Sequence, residues 1–190
     1  MKSNILFSFL LLATLIIPGI SQAYSVTNAT ATDLGNGYAL FTVTYKFGFL
    51  NRELYMPIEA SRNTKFTDKG EDVRYSILLN DQTGAQASTS KITNDDTSYS
   101  LNYSILPGKA KGIVVSNAEI KDDRYYLPKG KSETFTLITL VDMSSSLNKE
   151  NLSLQMTSLP FTMVDGRTET DARLNATELE SYKTPKVTLK

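Results

Sequence analysis

The chain contains no cysteine, no histidine and no tryptophan. Without His or Cys, neither a Ser-His-Asp triad nor a Cys-His nucleophile can be assembled. Zinc sites of the usual His/Cys kind are excluded on the same ground. Without Cys there is no disulfide framework and no lipid anchor on a cysteine, so the fold rests on packing alone. The absence of Trp leaves Tyr, with 10 copies, as the one ring with a polar tip that could stack on a sugar. An excess of either charge is also missing: 20 basic residues face 20 acidic ones. The chain therefore carries no basic field to draw nucleic acid or an anionic membrane. Long apolar runs are lacking as well, with one exception at the N-terminus.

That exception reads MKSNILFSFLLLATLIIPGISQAYS. Lys2 gives a positive start, Ile5 to Ile17 is apolar except for Ser8 and Thr14, and Pro18-Gly19 ends any helix. Ser21-Gln22-Ala23 places small residues where a signal peptidase needs them. The run is shorter than the ~20 residues of a spanning helix. The expectation is a signal peptide over 1–23 and a mature chain that begins at Tyr24. About 167 residues then remain, with a net charge of −1. That length suits one domain, 24–190. No membrane span is left after cleavage. The expected location is secreted, extracellular or in the cell envelope (periplasm or cell surface), and a cysteine-free exported chain leans towards a bacterial or archaeal envelope.

Beyond Tyr24 the dominant hydrophobic period is two. In 39–47 one face is Ala39, Phe41, Val43, Tyr45 and Phe47. In 72–80 it is Val73, Tyr75, Ile77 and Leu79, and in 98–105 it is Tyr99, Leu101, Tyr103 and Ile105. Each reads as a half-buried strand. The segment 132–142 is apolar on both faces and reads as a central strand. Two more strands are expected at 111–120 and 151–156, and a polar edge strand at 25–33. Turn chemistry separates them: Gly35-Asn36-Gly37, Asp81 to Gly84, Pro107-Gly108, Lys129-Gly130 and Asp165-Gly166.

Many short strands at this spacing predict an all-β fold, an antiparallel β-sandwich that is immunoglobulin-like in the broad sense. The stretch YYLPKGKSETFTLITLVD resembles the turn-then-strand unit of bacterial immunoglobulin-like domains; the resemblance covers that stretch alone and assigns no family. One short helix is expected near the C-terminus. Asn175 with Glu178 has capping-box spacing, Leu179 and Tyr182 share a face, and Pro185 stops it. "KVTL" then reads as a last strand.

Motifs for chemistry are fragments. "GKS" at 130–132 lacks the leading glycine of a phosphate loop and precedes a strand. Ser88/Lys91 and Ser146/Lys149 lack the companions of penicillin-binding enzymes. "LPFT" at 159–162 lacks the glycine of a sortase signal. Acidic groups at Asp68/Glu71/Asp72, Asn94/Asp95/Asp96 and Asp122/Asp123 fall at expected turns, where calcium could bind but where solvated turn residues are the plainer reading. Sequons at Asn28, Asn102, Asn151 and Asn175 follow from a chain rich in Asn, Ser and Thr. No cofactor and no metal site is expected.

The sharpest site question concerns FTVTYKFGFLNRELYMPIEA, 41–60. The alternation loosens at Gly48, read as a bulge or bend. Pro57 then places the strand "ELYMPI" at a sheet edge. Phe49, Leu50 and Tyr55 are the candidate partner-binding residues at that corner; the plainer reading has them plug the end of the sandwich. The expected function is a non-enzymatic binding or structural module whose partner is an unknown protein or a surface glycan. The alternatives are a secreted glycoside hydrolase using two carboxylates, or a carbohydrate-binding module stacking sugar on Tyr125-Tyr126 or Tyr38.

Overall fold

A side chain on every second residue of a strand points the same way, and in strand β2 (Tyr38–Phe49) that set is Ala39, Phe41, Val43, Tyr45, Phe47 and Phe49, all buried. The computed structural model describes residues 22–49, 51–63, 71–79, 109–144 and 151–189. Strand β1 (Gln22–Gly35) lies antiparallel to β2. The turn between them has positive φ at Asn36 (53°) and Gly37 (81°), as a type I′ hairpin requires. On its other flank β2 pairs with β9 (Ser132–Asp142), from Tyr38↔Asp142 to Gly48↔Ser132. Gly48 therefore stays within the ladder and makes no bulge. Its lack of a side chain is needed because β9 begins directly above it: a Cβ would sit 2.4 Å from the Lys131 carbonyl oxygen and 2.6 Å from Ser132 Cα. Strand β6 (Lys109–Ser116) continues the sheet beyond β9.

The remaining strands are β3 (Glu53–Pro57), β4 (Glu59–Arg62), β5 (Val73–Leu79), β7 (Glu119–Lys121), β8 (Arg124–Leu127), β10 (Asn151–Asp165), β11 (Thr168–Asn175) and β12 (Val187–Thr188). All twelve strands of the described residues join one sheet, in the order β1-β2-β9-β6-β4-β5-β10-β3-β8-β7, with β11 and β12 also on β10. The fold is all-β. The sheet is mixed, since β4 and β5 run parallel; this corrects the expectation of antiparallel pairing throughout. The reason is local. β3 and β4 are nearly one strand, bent at Ile58, and the bend carries β4 out of the β8–β10 neighbourhood and in between β5 and β6. The Ile58 carbonyl at the bend accepts the Val114 amide at 2.9 Å.

Strand β10 serves different partners along its length. Leu152 to Ser158 pairs with β5, Ser158 to Asp165 pairs with β11, and Thr162 to Val164 also pairs with β3. A register shift between Met156 and Ser158 marks the changeover. The Asn63 side-chain amide donates to the Thr157 hydroxyl inside that shift, and the Asn63 backbone amide donates to the Tyr75 carbonyl at 2.8 Å. β10, and not β9, is the strand covered on both sides. Ser153 and Gln155 are buried in it between Leu152, Leu154 and Met156, whereas Leu140 of β9 is 42% exposed.

The expected C-terminal helix is absent; the segment after Asn175 makes turns. One half of its capping box forms all the same. The Asn175 amide donates to Glu178 Oε2 at 2.8 Å, and the Leu179 amide donates to the Asn175 carbonyl at 3.0 Å. Propagation fails because β10 competes for the backbone. The Met156 amide donates to the Tyr182 carbonyl, and the Thr184 amide to the Leu154 carbonyl, both at 2.9 Å. Leu179 and Tyr182 are buried, as the expected apolar face requires.

Rings fill the centre. Tyr45 stacks on Phe135 at 5.7 Å, Tyr125 meets Phe135 edge-on at 5.6 Å, and Phe47 lies 5.1 Å from Phe161. The expected strand at 98–105, the acidic residues Asp68 and Asn94 to Asp96, and nearly all of the expected signal peptide lie outside the described residues.

Candidate functional site

Phe49 is 3% exposed and packs against Phe47 at 5.8 Å and Phe161 at 5.5 Å. It belongs to the core. Leu50 lies outside the described residues. Tyr55 is half-buried on the opposite face of its strand from Leu54 and Met56. That strand is no edge: β3 has β8 on one side and β10 on the other. Pro57 does interrupt pairing, but from an interior position.

The interruption makes a site. The register Tyr55↔Thr162, carried two residues further, sets Pro57 against Pro160. Neither proline has an N–H to donate, so the β3–β10 ladder stops there. β3 leaves at the Ile58 bend and β10 transfers to β5. Where the sheet parts, a depression of about 440 Å³ opens, lined by Pro57, Pro160, Phe161, Tyr55, Thr162 and Arg124, with Glu71, Glu169, Asp171 and Arg173 around it. A second, shallower depression of about 670 Å³ shares Pro57, Glu71 and Arg124 with it.

Cross-strand register explains who meets whom. One row on this outer face runs Glu119, Tyr126, Tyr55, Thr162, Asp171, one residue from each of five neighbouring strands. Side chains opposite one another in a row are within contact distance. Tyr55 and Tyr126 have centroids 5.3 Å apart and tilted by 47°. The Arg124 guanidinium lies 4.5 Å over the Tyr55 ring and donates from Nη1 to the Thr162 hydroxyl at 3.2 Å. Thr162 in turn donates to Asp171 Oδ1 at 2.8 Å. Lys121 sits 3.6 Å over the Tyr126 ring. The Tyr126 phenol is pushed above its ordinary value, first by desolvation and then by the Glu53 carboxylate.

Tilted rings already faced by cations are a poor platform for a flat sugar face. Tyr125 offers none: it is buried, donates to the Val114 carbonyl at 3.0 Å and accepts the Ser116 amide at 3.2 Å. Asp122 and Asp123 form the two-residue β7–β8 turn, with φ of 50° and 56°. Asp72 pairs with Arg74 at 2.8 Å. Among the described residues no group of acidic side chains is placed to hold a metal ion.

Of the two expected partner-binding residues that are described, Phe49 and Tyr55, Tyr55 faces the depression. Pro57 carries only an edge signal in the sequence, and Arg124, Pro160, Thr162 and Asp171 carry no signal of a site. A proline inside an alternating strand was visible twice, at 57 and 160; that the two face each other depends on pairing that no local pattern encodes. No known protein-family model and no curated protein matches the chain.

Proposed function

We propose that the protein is an exported, non-enzymatic binding module whose working surface is the seam where β3 and β10 part. The observation that carries this is the pre-formed depression on a rigid sheet, with Arg124 fixed by both Tyr55 and Thr162. Sites held by locked side chains on strands lose little entropy on binding. We read the architecture as a β-sandwich in the broad immunoglobulin-like sense, one bent sheet whose layers meet where Tyr125 of β8 touches Phe135 of β9. Export rests on the N-terminal pattern, and the cut before Tyr24 falls two residues into β1. The side chain of Tyr24 packs against the core, so the mature chain starts with its first core contact. Mass spectrometry of the exported protein checks this; a mature form that retains Lys2 refutes it.

One observation favours the hydrolase reading. Glu169 and Asp171 share a face of β11, roughly 7 Å apart along the strand, a spacing that paired catalytic carboxylates use. Both are exposed, whereas the acid of such a pair is withdrawn from water. A single experiment separates the readings. The full exported protein is tested for saturable binding to, and cleavage of, immobilised polysaccharides and peptides, beside Tyr55→Ala/Arg124→Ala and Glu169→Gln. The binding reading expects saturable binding that the double variant loses while its circular dichroism is unchanged. Cleavage that Glu169→Gln abolishes, or no binding at all, overturns it.

A further inference from the structure

We propose that the seam takes a basic, extended protein segment, with Lys or Arg side chains laid across β8, β3, β10 and β11. The inference deepens the binding-module reading and rests on it.

The charges around the seam are unequal in kind. Two of its three guanidiniums are engaged within the protein, Arg124 by Tyr55 and Thr162 and Arg74 by Asp72; the third, Arg173, is half-buried beside the first depression. Two of its carboxylates are engaged likewise, Asp72 by Arg74 and Asp171 by Thr162. The others, Glu71 and Glu169 around one depression and Glu59, Asp122 and Asp123 around the next, are all exposed. In a chain with equal numbers of acids and bases, this is a segregation of charge. The balancing lysines lie elsewhere, with Lys46, Lys109 and Lys111 exposed on β2 and β6 and Lys129 and Lys131 exposed at the turn before β9. Seven carboxylates against three guanidiniums give the seam a net negative lining, and such a lining gathers cations.

Shape selects among cations. No metal-holding group exists here among the described residues, so the carboxylates are spread too widely to enclose a single ion. The lining mixes apolar surface, from Pro57, Pro160 and the edge of Tyr55, with the polar groups of Thr162 and the carboxylates. Long basic side chains lay their methylene stems on such surface and keep their charge at the rim. Three strand spacings separate β8 from β11, about 14 Å. An extended chain of roughly five residues crosses that distance, so alternate side chains would reach the two depressions.

The test uses the full exported protein and three fluorescent decapeptides of equal length, Lys/Arg-Ser, Glu-Ser and Gly-Ser alternations, with spermine as a competitor. Anisotropy is read at low and at physiological salt. The variant is Glu71→Gln/Asp122→Asn/Asp123→Asn/Glu169→Gln; Asn tolerates the positive φ of the turn. The expected result is binding of the basic peptide alone, weakened by salt, and weakened roughly ten- to a hundredfold in the variant. Thermal unfolding of the variant should match the parent. Equal binding of the acidic or neutral peptide, equal affinity of parent and variant, or displacement by spermine at the peptide's own concentration overturns the inference. If none of the peptides binds but a polysaccharide binds and is lost with Tyr55→Ala/Arg124→Ala, this inference falls and the binding-module reading stands. If nothing binds, both fall.

Discussion

Phe49 and Tyr55 were expected to act together at one corner, and the structure assigns them opposite faces, so their alanine variants should part company. Phe49 is 3% exposed with two ring partners. Truncation of such a ring removes its burial and leaves a cavity, which costs ~3–5 kcal/mol. Tyr55 is half-buried; Tyr55→Ala forfeits one tilted ring contact and one cation over its face, ~1–1.5 kcal/mol together. In a urea titration, with a slope of ~2 kcal/mol/M for a chain of this size, the midpoint should fall by ~2 M for Phe49→Ala and by ~0.5 M for Tyr55→Ala. The corresponding losses in Tm are on the order of 10 °C and 3 °C. Binding should sort the pair the other way. Measured well below the transition, Phe49→Ala should keep the parent's affinity for the seam's ligand and Tyr55→Ala should lose most of it. Equal losses of stability in the two variants, or impaired binding in folded Phe49→Ala alone, would refute the placement of both residues.

Three further outcomes follow from particular contacts. Gly48→Ala should destabilise by ~2–4 kcal/mol, because its Cβ meets the backbone of Lys131 and Ser132; a change below ~0.5 kcal/mol by urea titration would restore the bulge that the ladder excludes. Burial pushes the Tyr75 phenol up to about 12 and raises those of Tyr45 and Tyr182 as well, so the folded state holds protons that the unfolded state releases near pH ~10. Stability should then be level below pH ~10 and be lost as pH rises through about 12; phenolate absorbance that develops at an ordinary pH while the protein stays folded would contradict this. A chelator should leave the Tm unchanged to within ~2 °C, and a larger fall would show a stabilising ion.

What could be read from the sequence was whatever one strand decides alone. The alternation Ala39 to Phe47 and the turn at Asn36-Gly37 depend on local sterics and on one buried face, and both stand in the structure. Strand β9 was found at its observed bounds, Ser132–Asp142. Its role was misread because Ile138 and Leu140 suggested cover on a second face. The strand that does have such cover, β10, was read as six residues instead of 15. Ser153 and Gln155 interrupt its apolar pattern, and Gln155 is satisfied by partners far along the chain: its side-chain amide donates to the Leu179 and Tyr182 carbonyls. The helix expectation failed at the same place. Its first turn is encoded by Asn175 and Glu178, but its continuation was decided by β10, which offered Tyr182 and Thr184 a ladder instead.

The seam shows why the site was harder to see than the fold. A proline in a strand is conventionally an edge marker, since an edge has no ladder bond to lose. Two prolines opposite each other meet the same constraint differently. Each removes a donor from the same stretch of ladder, so one gap serves both, and neither strand need lie at an edge. The chain then gains what an edge would not have provided. Tyr55, Thr162 and Asp171 stay in one row because the sheet remains paired just before the gap, and the bend at Ile58 and the shift at Thr157 carry the strands apart just after it. The row holds Arg124 in place, and the parting opens the floor beneath it. The depression then depends on the missing donors more than on the ring shape of proline, and Pro160→Ala is the informative change. It returns one N–H to β10 opposite the Pro57 carbonyl, so at most one bond of the pair can form while Pro57 still has no donor to return. The fold and the opening should survive, with stability altered by no more than ~1 kcal/mol. Pro57→Ala/Pro160→Ala restores both donors, and the ladder should then extend by one step and narrow the seam. Hydrogen exchange at residues 57 and 160 would report new protection in the double variant, together with weaker ligand binding. Amides that exchange freely in the double variant would show that the strands part for a reason other than the prolines.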